Sequence, residues 1–217
     1  MLTNEINTYN QDIHELPPPK KKNLIKLSNL VLKMQRYTSV IKTHLLKYLG
    51  LEIGQNSYVY WKASIDERKG HIKVGKNTMI GRTKIGYHGG MSFYTTLLTD
   101  EDDALIEIGD NCRINGAYIH AKGKIQIGNN CVIASNVNII DSNGHETYST
   151  NRTKGCDQAE DIIIGNNVWI GMNVIILKGT TIGHNCIVAA NSVVKGKYSD
   201  NCIIGNGIAY VHKKYPI

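Results

Sequence analysis

The sequence predicts an all-β main domain, a coil of six-residue repeats stacked on itself, preceded by an amphipathic helical extension. Three observations carry this. An aliphatic residue returns at every sixth position, glycine and asparagine punctuate the repeat, and before residue 50 the apolar spacing is three and four instead.

The repeat is clearest in Ile164, Ile170, Ile176, Ile182, Val188 and Val194. Glycine follows directly in IGNN, IGMN and IGHN. Four places after each aliphatic stand Val168, Val174, Thr180, Cys186, Ser192 and Tyr198, small in five of six. The same frame gives IGNNCV, IASNVN and IIDSNG from Ile127, IGDNCR from Ile108 and VGKNTM from Val74. A strand alternates every two residues and a helix every 3.6, so a period of six fits neither alone. It fits flat faces, each a short strand and a turn, with the aliphatic pointing inward onto its equivalent one coil away. Gly and Asn tolerate the positive φ of the corners. No coil has a core of its own; stacking makes one.

Residues 1–50 precede this domain. After Pro17, Pro18 and Pro19, the residues Leu24, Leu27, Val31, Met34, Ile41, Leu45 and Tyr48 form a helical stripe broken at Thr38, with Gly50 as an end signal. This predicts one amphipathic helix or two short ones. The domain then runs over 51–205, with a polar loop inserted at 141–161, and a tail covers 206–217.

The chain has 217 residues and a formal charge of +7, concentrated between Glu15 and Glu52, where eight lysines and arginines meet no acid. That asymmetry predicts a local basic surface and no nucleic-acid partner. The absence of an apolar leader or a long uncharged apolar run predicts a cytoplasmic protein. Cys112, Cys131, Cys186 and Cys202 share one slot of the repeat and read as small, inward and reduced.

The hexapeptide frame, the segment VWIGMNVIILKGTTIGHNCIVAANSVV and the preceding IIDSNGHE resemble the hexapeptide-repeat acyltransferases. The chain is similar to the maltose and galactoside acetyltransferases and, more so, to the O-acetyltransferases of capsule and O-antigen assembly. The likeness is good over about 105–205, rests on the repeat alone over 53–104, and does not reach 1–50. It implies a left-handed parallel β-helix, an exception to the usual right-handed crossover. It also implies a homotrimer in which acetyl-CoA and an acceptor sugar or glycan meet between subunits.

Acetyl transfer from a thioester to a hydroxyl needs a base, donors for the oxyanion and positioning of both substrates. A histidine near pKa 6.5 is suited to take the hydroxyl proton and return one to the leaving thiolate. His145, at the mouth of the loop, stands where the family places this base; a surface loop with an incidental histidine is the plainer alternative. Asp141 either orients that imidazole, holds an acceptor hydroxyl, or closes the corner as an Asx-turn. Related sequences read D-x-D-G-H here, and Asn143 replaces the second acid. Asn115 lies near the family's sugar-binding asparagine.

On the donor side the resemblance places Trp169 at the thioester end, with a subunit-interface anchor as its alternative role, and Gly171 and Met172 presenting backbone beside it as candidate oxyanion donors. Ala189 and Ala190 are small where the donor presses closely. Lys195 and Lys197, or Lys213 and Lys214, are candidates to meet its phosphates, against the plainer reading of lysines on a solvated face. The ending GNGIAYVHKK departs from the family's G-x-P-A-basic form.

His184 reads as a solvated turn residue, and nothing local demands a role for His120. No two histidines stand five residues apart, so no metal is expected. N-acetylation of an amino sugar, acetylation of serine or an antibiotic, and a non-catalytic scaffold are the alternatives. Residues 20–48 offer contact with an anionic membrane surface, against a helix packed on a coil with lysines in water. The loop at 86–105 is a candidate cover over substrate.

Overall fold

The computed structural model describes residues 21–84, 87, 89–151, 153–205 and 210–214. The chain divides into two compact units at Gln35/Arg36. A single helix, Lys21–Tyr48, runs through that point with no break at Thr38. No described helix is long and apolar enough to cross a membrane. His14 and Lys20, and Gly86 and His88 of the expected cover, lie outside the described residues. So do the side chains of Tyr210, His212, Lys213 and Lys214.

From Glu52 the chain winds through three sheets of seven, eight and six strands. Among the described residues all pairings are parallel except Cys202–Gly205 with Tyr210–Lys214. Successive strands belong to successive sheets, so each circuit contributes one strand to each face. Register turns the sixfold period into columns. On the first sheet Val74, Ile108, Ile127, Ile164 and Ile182 stand directly over one another. On the second the column is Ile80, Ile114, Ile133, Ile170 and Val188, and on the third Leu97, Ile119, Ile139, Ile176 and Val194. Every one of these residues is buried. Each such burial contributes about 1.5–3 kcal/mol, which makes the columns the core.

Among the described residues ten asparagines, Asn130, Asn167, Asn173 and Asn185 included, adopt φ between 54° and 62°. At the corners their amides also bond one another up the coil, as in Asn136 to Asn173 at 3.2 Å and Asn173 to Asn191 at 3.0 Å. A second ladder uses side-chain acceptors. Asn129 Oδ1 accepts from Asp110 N, Asn166 Oδ1 from Asn129 N, His184 Nδ1 from Asn166 N and Asp200 Oδ1 from His184 N. His184 is therefore exposed, as expected, but also structural. The cysteine slot has a polar use as well. Cys112 and Cys131 are buried, and each thiol donates to a carbonyl of the next coil, Gly128 and Gly165, at 3.1 and 3.2 Å.

The expected apolar stripe does not make the docking face of the helix. Ile41, Leu45 and Tyr48 are exposed, while Ser39 and Thr43 are buried. Ser39 Oγ accepts from Trp61 N at 3.0 Å and Thr43 Oγ1 from Val59 N at 2.8 Å. The Lys42 ammonium donates to the carbonyls of Trp61 and Ala63. The first coil has no preceding coil to satisfy its edge, and an unpaired edge N–H needs a partner. Hydroxyls supply one where leucine cannot. The expected cover over 86–105 also changes: Thr96–Thr99 is a strand of the third sheet.

Candidate active site

The loop leaves the third sheet at Ile140 and rejoins the first at Ile162. Asp141, at its root, has no exposed surface. Its carboxylate accepts Lys122 N at 2.9 Å and Gly123 N at 2.8 Å, clasping the preceding coil. Burial pushes this carboxyl up from its ordinary range, while those two N–H groups hold it back. Both bonds reach the preceding coil, so the carboxylate ties two coils together rather than closing an Asx-turn of its own. His145 lies on the exposed part of the loop, with no polar side-chain partner among the described residues.

What fixes the loop is Asp157, which sequence reasoning missed. Its carboxylate accepts Ser142 Oγ and Asn143 N, both at 2.7 Å, and Gly144 N at 3.1 Å. Lys178, one coil on, donates to the same carboxylate at 2.9 Å. The turn immediately before His145 is thus gathered on one half-buried acid. Only the acidic end of the loop, CDQAED, hinted at it.

The proposed donor side lies elsewhere. Trp169 is on the outer surface of the second sheet, between Val132 and Ile187, and is 55% exposed. Gly171, Met172, Ala189 and Ala190 follow at the corner toward the third sheet, and Asn115 occupies the same corner two coils earlier. Asn115 is buried. The Gly171 N–H is spent on Val188 O at 2.8 Å, and that of Ala189 on Ile204 O at 2.8 Å. The N–H groups of Met172 and Ala190 have no partner among the described residues. Gly171 is required here: a Cβ would stand 2.7 Å from Ala190 N. Small residues, free backbone donors and an exposed indole suit an amide-rich, largely apolar arm.

Within one chain, then, the structure brings Trp169, Gly171, Met172, Ala189, Ala190 and Asn115 to one edge. It puts His145 and Asp141 at another, between the third and first sheets, where exposed Lys195 also falls. A groove of about 590 Å³ along the first sheet, lined by Lys73, Glu107, Gln126 and Asn166 among others, holds none of them. Also unanticipated is a cluster beside the donor edge. Lys84 sits 4.6 Å over Tyr94 and Lys62 5.2 Å over the same ring, while Gly89 of the adjoining segment lies against the Met172 thioether.

A family model described as bacterial transferase hexapeptide (six repeats) matches residues 161–196. An Escherichia coli K12 protein provisionally named a lipopolysaccharide biosynthesis O-acetyl transferase is 34% identical over 122 residues, covering 51% of this chain and 61% of that one. Galactoside O-acetyltransferase of Escherichia coli K12 is 31% identical over 160 residues, covering 73% and 61%. The chain thus spans about three-fifths of the length of these relatives, 61% of each. An N-acyltransferase from Bacillus cereus, solved with dTDP and 3-hydroxybutyryl-CoA, superposes with a TM-score of 0.61 over 80% of this chain and 88% of its own, at 20% identity. That likeness concerns the fold. Residues 161–196 thus carry the bacterial transferase hexapeptide repeat, and over its stacked coils the chain is similar to proteins named as O-acetyltransferases.

Proposed function

We propose that the chain transfers an acetyl group from acetyl-CoA to a sugar hydroxyl, of a surface polysaccharide or its precursor, at a site made by two copies of the chain. The observation that carries this is the separation of the two edges. The imidazole of His145 stands at one, the exposed indole and free N–H groups at another, so a second copy must bring them face to face. A homotrimer, the state the resemblance implies, does this three times over. Support for the acceptor class comes from the galactoside and lipopolysaccharide names of the relatives.

In this reading acetyl-CoA lies along the Trp169–Ala190 edge, and its thioester carbon is the electrophile. The acceptor oxygen attacks that carbon while its proton passes to His145. The tetrahedral oxyanion accepts the N–H of Met172, a donor of the kind whose loss costs about 3 kcal/mol. The C–S bond then breaks, and the thiolate leaves with the proton returned by the imidazole. Asp141 and Asp157 act as positioning residues, one fixing the coil edge and the other the turn before His145. Asn115 holds the acceptor and Lys195 meets the donor's phosphates. No metal enters.

Such a donor places the reaction in the cytoplasm. Exposed Ile41 and Leu45, on a helix rich in lysine, support a peripheral contact of that helix with the anionic inner face of the membrane. Acetyl-CoA consumption with a panel of glycans tests the main reading. His145→Ala lowers turnover by about a hundred- to ten-thousand-fold with CoA binding unchanged. An active His145→Ala protein would remove the mechanism.

A further inference from the structure

His120 and Asp100 form a pair that no role above absorbs. Asp100 follows the strand Thr96–Thr99, and His120 belongs to Tyr118–Ala121 of the same sheet. Register sets His120 between Leu98 and Ile140, so the pair stands one coil before the root of the His145 loop. His120 is one of the groups acting on Asp141 there.

The imidazole Nε2 lies 3.1 Å from Asp100 Oδ1, and the two side chains are 20% and 26% exposed. Both atoms are closed to water, and neither has an aligned hydrogen bond among the described residues. Such atoms are costly to bury without compensation. A carboxylate beside a ring N–H supplies it electrostatically, which puts the proton on Nε2. Tyr118 stands edge-on to the ring, centroids 6.0 Å apart at 72°, and limits its rotation. The other nitrogen, Nδ1, has no partner among the described residues and is not among the atoms shut away from water. One edge of the imidazole is thus tied inward and the other left as a lone pair facing out, on a rigid sheet rather than on a loop.

We propose that His120, oriented by Asp100, is an acceptor-binding residue: its Nδ1 accepts a hydrogen bond from a hydroxyl neighbouring the one that is acetylated. This rests on the acetyl-transfer reading and narrows its substrate class to sugars carrying two adjacent hydroxyls. His145 takes the reacting proton; His120 holds the ring that presents it. Asp100 is a positioning residue, acting through the imidazole.

Kinetics with methyl β-galactoside, methyl β-glucoside and their monodeoxy forms, together with ¹⁵N spectra of the histidine rings, test this on the full chain. His120→Gln and Asp100→Asn should each raise the acceptor KM about three- to ten-fold, the scale of one neutral hydrogen bond. They should leave kcat within about two-fold, as loss of uniform binding requires, and the acetyl-CoA KM unchanged. One monodeoxy sugar should show the same rise with wild-type protein and no further rise with His120→Gln. The spectra should show His120 as the Nε2–H tautomer, lost in Asp100→Asn. A fall in kcat at constant acceptor KM, or the Nδ1–H tautomer in wild type, overturns the proposal. If wild type acetylates none of these sugars, acetyl transfer to hexosides fails instead. The tautomer, and a shift of Nδ1 on adding the glycosides, then decide the pair by themselves.

Discussion

Lys178 Nζ lies 2.9 Å from Asp157 Oδ2, joining the end of the loop to the next coil, and the same carboxylate gathers the turn before His145. Burial works against charge on Asp157. The Asn143 N–H, the Lys178 ammonium and the Ser142 hydroxyl outweigh it and hold the carboxyl well below its usual range. The hydrogen bond to Asp157 raises Lys178 in turn.

Asp157→Asn should therefore loosen the loop without unfolding the coil. Misplacing a catalytic group by about 1 Å can cost on the order of a hundred-fold, so kcat should drop about 10- to 100-fold. Donor binding should be unaffected, since the donor edge is elsewhere. Steady-state kinetics beside CoA calorimetry check this; an unchanged kcat would detach Asp157 from His145.

The two aspartates at the loop's ends should respond oppositely to pH. The depressed carboxyl of Asp157 contributes stability that is complete above the ordinary value of about 4. That contribution is lost only as pH falls through the depressed native value. Asp141 is raised by burial, so its contribution is present below the ordinary value and lost as pH rises through the native one. Thermal midpoints from acid to neutral pH should show the deficit of Asp157→Asn shrinking toward acid. Asp141→Asn should gain on wild type as pH rises. Parallel curves for both variants would contradict the assignment.

The corner ladder makes a sharper contrast. A Cβ on Gly128 would stand 2.5 Å from Asn166 Oδ1 and 2.8 Å from the backbone of Gly165. Gly128→Ala should cost about 1–3 kcal/mol, as overpacking does. His184→Ala removes only an exposed acceptor and should stay within about 0.5 kcal/mol. Denaturant midpoints distinguish the two.

The coil was readable because its core repeats at one spacing: Ile127, Ile133 and Ile139 are inward for the same reason. The loop was readable as a break in that spacing, and the histidine within it by resemblance. The helix itself was legible but its buried face was not, because apolar periodicity says which residues could be buried, not which will be. Ser39 and Thr43 win their place through the N–H groups of Trp61 and Val59 on the first coil, twenty-two and sixteen residues further on. Asp157 and Lys178, or Asp100 and His120, carry no local signature, since each pair meets only when one coil is laid on another. The register that joins them depends on the lengths of the inserted segments, which the sixfold period does not encode.

The site's division between copies is most directly tested by mixing two dead variants, His145→Ala and Ala190→Arg, the second blocking an exposed position on the donor edge. If each site takes its imidazole from one copy and its donor edge from the next, co-expression in equal amounts should restore roughly a quarter of wild-type turnover, as random assembly of a cyclic oligomer dictates. A mixture as inactive as either variant alone would show that one chain carries the whole site.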